Sequence, residues 1–307
     1  MNNFFSKETQ LVKFPFFLPL IYGTILYLFP QFETHLIFIT ILILAETHFG
    51  ATWPFFLNRL NLDYIKENKI NLIFFPVLIT IFCILGFFYF KEFFLLIFFA
   101  SNVYHVTRQS FGVMNLYTKD LNKKKIWSNI IYFFNIIFFL IAFFRFYIPI
   151  INSEYLLIIN LIIIFGICIA LFTQLKRFGY SENFLTLITG ILIFYPVCFV
   201  SNPVHAIIMG VTMHYSQYLY LTSKVIKNRN NNSKDELKRN NFLSFLIIIF
   251  LYSIVMSILS IFGKNESELL KSLIFIPITG QMLHFYLDSQ LWKFSNKHNR
   301  ENILKYL

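Results

Sequence analysis

The sequence predicts an all-α, polytopic integral membrane helix bundle with about ten transmembrane helices and both termini cytoplasmic. Three observations predict it. Only 13% of the 307 residues are charged, against about 25% in soluble proteins, while 57% are hydrophobic and 42 are Phe. Apolar windows of about 20 residues, long enough to cross a bilayer, recur along the chain. The basic residues between them fall on alternate sides. Together these exclude a soluble enzyme, a disordered chain and a secreted disulfide scaffold.

The windows run 14–30, 35–57, 70–90, 93–117, 126–147, 155–174, 184–200, 203–226, 242–262 and 268–292. The first follows Lys7 and Lys13 and lacks a small-residue cleavage site, so it reads as a retained helix and not as a signal peptide. Spans seven and eight are separated only by Ser201-Asn202-Pro203, a turn that proline can begin. The Asn- and Lys-rich connection 224–241 is expected to be a mobile loop. No connection has room for a soluble domain, so residues 1–307 are expected to form a single membrane domain. Cys83, Cys168 and Cys198 stand apart in apolar runs with no metal-ligand spacing and read as small buried hydrophobes.

Charge fixes the orientation. The N-terminus, the loops after spans two, four, six and eight, and the C-terminus hold 21 of the 26 Lys and Arg and eight of the 15 acidic residues. The opposite loops hold four basic residues and five acidic ones. Such a bias places both termini in the cytoplasm. The net charge of +11 is therefore an orientation signal beside anionic lipid, and no nucleic-acid partner is expected. The expected location is a bacterial cytoplasmic (inner) membrane.

Three charges remain within the spans: Glu46, Arg108 and Asp288. Each costs at least about 2.5 kcal/mol at bilayer depth, which marks it as a functional candidate. Of seven histidines, His298 lies in the tail, while His35 and His205 begin spans two and eight at the outer edge. His48, His105, His214 and His284 lie within spans two, four, eight and ten. They precede the next cytoplasmic basic residue by 11, 14, 10 and 9 residues. At a helical rise of about 1.5 Å per residue, the four occupy one layer some 14–21 Å below those charges. Gln109, Gln217, Gln281 and Asp288 follow or precede them at helical spacing. Glu46 and His48 are about 200° apart around their helix, so Glu46 reads as a supporting or substrate-channel group.

A single intramembrane His is an ordinary helix–helix hydrogen-bonding residue. Four on four helices at one depth point instead to a metal. His48, His105, His214 and His284 are the expected ligands, with Asp288 a ligand or an orienting group. Arg108, Gln109 and Gln217 are expected to hold substrate or support the ligands. Imidazole and carboxylate without thiolate favour iron over zinc, and non-haem iron suits oxygen chemistry on a lipid-dissolved acyl chain, isoprenoid or carotenoid. An electron-donor protein is a possible partner where the reaction needs reductant, with Lys119–Lys125 and the basic tail available to dock it. The set is similar in kind to integral-membrane multi-histidine iron oxygenases, hydroxylases and desaturases, although the HxxxH and HxxHH boxes and an HGxxD-like signature do not occur. Haem is disfavoured, because a single ring would leave two intramembrane histidines unexplained. A zinc-dependent membrane lipid hydrolase could use the same ligands. A proton-coupled transporter could use the same polar cluster, although only ten glycines are available to break its helices.

Overall fold

The computed structural model describes residues 6–232, 242–262 and 271–307. Among these residues there are thirteen α-helices and no strand. The helices are α1 Phe17–Leu28, α2 Glu33–Thr40, α3 Glu46–Phe56, α4 Arg59–Glu67, α5 Phe75–Tyr89 and α6 Lys91–Tyr117. They continue with α7 Leu121–Ala142, α8 Ser153–Phe178, α9 Phe184–Leu192, α10 Pro203–Asn232, α11 Phe242–Phe262, α12 Phe275–Leu291 and α13 Lys297–Asn302. Short π-helical and 3₁₀ turns extend several of these, so that Pro30–Phe56, Ile70–Tyr89 and Leu121–Tyr147 are continuous helical runs.

Among the described residues, five runs are long and apolar enough to cross a membrane: the three just named, Glu154–Phe178 and Phe242–Ile261. Pro30–Phe56 is half buried, but the other four keep much of their apolar surface exposed, as with Leu157, Ile158, Leu161, Ile162 and Phe165 on α8. Apolar surface on that scale suggests association with lipid. The histidine-bearing α6 and α10 are also long, at 27 and 30 residues.

The chain divides into two compact units, Met1–Ile37 with Val103–Gln217, and Phe38–Asn102 with Tyr218–Leu307. The divisions fall inside α2, α6 and α10.

In the first unit, the expected seventh span is not one helix. Pro196 lacks an N–H, and its ring would clash with the carbonyl four residues back, which is where α9 ends at Leu192. A 3₁₀ turn, Tyr195–Cys198, follows. Side chains of neighbouring helical segments satisfy the carbonyls around this break. Asn135 donates to Gly190 O at 3.0 Å, Arg145 to Val197 O at 2.6 Å and Asn160 to Cys198 O at 2.7 Å. A break in an apolar layer is tolerated only with such partners. The N-terminal turn Thr9–Lys13 is tied down similarly: Lys13 and Thr9 both bind the Glu182 carboxylate, at 2.8 and 2.6 Å. Asp120 and Asn152 cap α7 and α8 by accepting from Lys123 N and Tyr155 N.

In the second unit, α3 packs against α11 and α12, and α5 packs against α12. Gly50 on α3 and Gly280 on α12 make room for Tyr252, whose ring and hydroxyl would each lie 2.8 Å from a Cβ added there. The core beside them holds Phe55, Tyr218, Val225, Leu287 and Leu291, with Phe55 stacked on Trp292.

Some sequence expectations need correction. The loop expected from Lys224 begins later, because α10 runs on to Asn232; residues 233–241 of that loop lie outside the described residues. No Gly or Pro intervenes between Gly210 and Asn232 to stop the helix. The start of the tenth span, 268–270, also lies outside the described residues. Cys83 and Cys198 are buried as expected, but Cys168 is exposed on the apolar surface of α8.

Candidate metal centre

Two histidine pairs form, one in each unit. In the second unit, His48 on α3 faces His284 on α12, with ring centroids 4.4 Å apart and planes at 70°. Neither ring is exposed at all. A π-helical turn, Ile41–Ala45, immediately precedes the segment carrying Glu46 and His48. Such turns re-aim the residues that follow and occur often at functional sites. Phe49, Tyr218 and Phe285 close around the pair as apolar walls.

The second unit also supplies a polar support. Thr52 lies four residues after His48, on the same face of α3. Its Oγ1 is 2.6 Å from Nδ1 of His284 and 2.8 Å from the Tyr218 hydroxyl. Asp288 is buried one turn beyond His284 on α12.

In the first unit, His105 on α6 meets His214 on α10, with centroids 5.1 Å apart and planes at 88°. Both are buried. Gln109, one turn beyond His105, donates to the backbone carbonyl of His214 at 3.4 Å and so links the two helices at this level.

His48, His105, His214 and His284 each offer a ring nitrogen, and these atoms lie within 4.8 Å of one another. This buried four-histidine group can hold a metal ion. The donor set is imidazole alone, which suits iron, zinc, copper or nickel. Neither Glu46 nor Asp288 belongs to the group.

The remaining residues singled out from the sequence are distributed as follows. Glu46 is buried and accepts from Gln281 at 3.2 Å. Gln217 is buried and donates to Val12 O at 2.7 Å, beside the bond from Ser216 to Leu11 O, so both side chains hold the N-terminal turn. Arg108 is exposed, its guanidinium 3.4 Å from the Tyr132 hydroxyl and over the Phe111 ring. The outer-edge His205 is engaged by Tyr22 at 2.7 Å and by Glu33 at 3.4 Å. Thr52 and Tyr218 escaped the sequence reading, because neither carries a charge that stands out in an apolar helix. The i, i+4 relation of His48 and Thr52 was the available signal.

No protein family matches the chain, and no match is found among curated proteins or solved structures.

Proposed function

We propose that this chain is an integral-membrane metalloenzyme, a non-haem iron oxygenase, hydroxylase or desaturase acting on an acyl chain, isoprenoid or carotenoid. The reading includes ten spans with both termini cytoplasmic. The observation that carries it is the buried group of four histidines. Four protein ligands would close a tetrahedral zinc site, whereas catalytic zinc keeps a position open for water. An octahedral ion held by the same four would keep positions open, which favours iron over a zinc hydrolase. A bound iron would supply oxygen activation; the chain's own residues hold the ion, exclude water and admit the substrate.

Support for an apolar substrate comes from a cleft of about 490 Å³ in the second unit. Ile43, Thr47, Leu219, Ser223, Leu246 and Phe250 line it. Thr47 is the chain neighbour of His48, and the other lining is almost wholly aliphatic or aromatic. A chain seated there would lie against the segment that carries a ligand.

The test is turnover by iron-loaded protein in lipid nanodiscs with a supplied reductant and isotopically labelled dioxygen. The expected result is label in a lipid product, or an oxygen-dependent double bond in a lipid chain. Oxygen-independent hydrolysis by a zinc-loaded protein would overturn the reading.

A further inference from the structure

We infer that the cleft in the second unit takes a long-chain carboxylic acid, with its chain along the cleft and its carboxylate at Lys227. As a substrate site it rests on the oxygenase reading, whose three candidates it narrows to one.

On α10, Tyr218, Leu221, Thr222, Val225 and Ile226 are buried, whereas Leu219 and Ser223 are half-buried and Lys227 is exposed. The last three recur at intervals of four and so form one stripe along the open face of the helix. Leu219 and Ser223 line the cleft. Lys227 lies eight residues beyond Leu219, about 12 Å along the axis. Across from them on α11, Leu246, Ile247 and Phe250 are exposed, so the cleft opens sideways on the apolar surface.

Polarity rises along this stripe. The wall at Ile43 and Thr47 is apolar, because Thr47 turns its hydroxyl back onto Ile43 O. Ser223 brings a hydroxyl, and Lys227 brings a positive charge. An apolar chain that ends in an anion matches that order. A carotenoid hydrocarbon has nothing to offer Lys227, and phosphates are typically met by guanidinium forks. The volume of about 490 Å³ lies in the ordinary range for one small ligand, about 300–1,000 Å³. Thr47 and Leu219 line the cleft, and their chain neighbours His48 and Tyr218 are in ring contact, with centroids 4.6 Å apart. With its head at Lys227, the acid therefore lays the middle of its chain beside the segment that carries His48.

Binding of radiolabelled palmitate to metal-free, full-length protein in nanodiscs of zwitterionic lipid tests the site apart from the metal. Saturable binding is expected against that excess of two-chain lipid. Leu246→Trp and Ser223→Phe fill the cleft and should each weaken it by about five- to a hundredfold. Leu161→Trp, on the exposed face of α8, should leave it unchanged. Lys227→Gln should weaken palmitate by about two- to fivefold, the worth of an exposed ion pair, and leave methyl palmitate unaffected. Palmitate binding that survives both filling variants overturns the inference. So does equal affinity of the parent for palmitate and methyl palmitate, or tighter binding of hexadecyl phosphate or β-carotene. Palmitate that binds as expected but is left unoxidised by iron-loaded protein, with reductant and dioxygen supplied, overturns the oxygenase reading and leaves the site standing.

Discussion

Gly210 on α10 backs directly onto the carbonyl of Ile193, so closely that a Cβ on Gly210 would overlap the carbonyl oxygen. The obstruction is backbone, which cannot rotate away as a side-chain tip can. Gly210→Ala is therefore expected to destabilise the protein by at least about 1–3 kcal/mol, the usual cost of overpacking. Gly112 on α6 offers a control, since nothing lies within 4 Å of a Cβ added there. Gly112→Ala should gain about 0.5–1 kcal/mol from helix propensity. Thermal unfolding in detergent separates the two, and a Gly210→Ala midpoint at or above the parent's would contradict the packing.

Asn135 sits at the broken seventh span, where its amide donates to Gly190 O. Asn135→Leu keeps the approximate size and leaves that carbonyl without its donor. The expected loss is about 1–3 kcal/mol, the cost of an unsatisfied buried polar group. Equal unfolding midpoints for parent and variant would mean that Asn135 does not hold the break.

His298 links the C-terminal helix to α4. Its ring stacks on Tyr64, with centroids 4.2 Å apart and planes at 5°. Asn61 spends its amide protons on Phe55 O and Phe56 O, so its Oδ1 accepts from His298 Nε2 at 2.7 Å. Nδ1 of His298 accepts from Asn302 at 3.2 Å. Both ring nitrogens are thus committed in the neutral form. Burial and the nearby Arg229 hold the imidazole below its ordinary range, against the opposing pull of Glu301 and Glu67. The unfolded chain then binds the proton more readily, so this link is at full strength above pH ~6.5 and weakens as pH falls through the lowered value. Hydrogen exchange of residues 296–307 should accelerate between pH 8 and pH 5, after correction for intrinsic rates. His298→Phe keeps the stacking and should abolish the extra acceleration; an unchanged pH response in that variant would exclude His298 as its source.

Much of this architecture was legible because lipid penalises exceptions. His48, His105, His214 and His284 stand out in apolar runs, and helical rise alone places them at one level. Arg108 stood out equally, yet its long side chain carries the charge to the outer surface at Tyr132, where no spacing rule follows it. Thr52 and Tyr218 were invisible for the opposite reason: both residue types are unremarkable in apolar helices, and their role arises only when α3, α10 and α12 come together. The break at Pro196 was written in the sequence, but the donors that permit it lie 36 to 61 residues away, on Asn160, Arg145 and Asn135.

The central claim is that the four histidines hold one metal site, and metal content of the purified protein tests it most directly. Wild-type protein loaded with iron should retain it stoichiometrically through gel filtration. His105→Ala and His214→Ala, if they elute as the same folded species, should each lose it, while Arg108→Ala should retain it. Iron that persists in both histidine variants, or a wild type that retains no metal, would contradict the account.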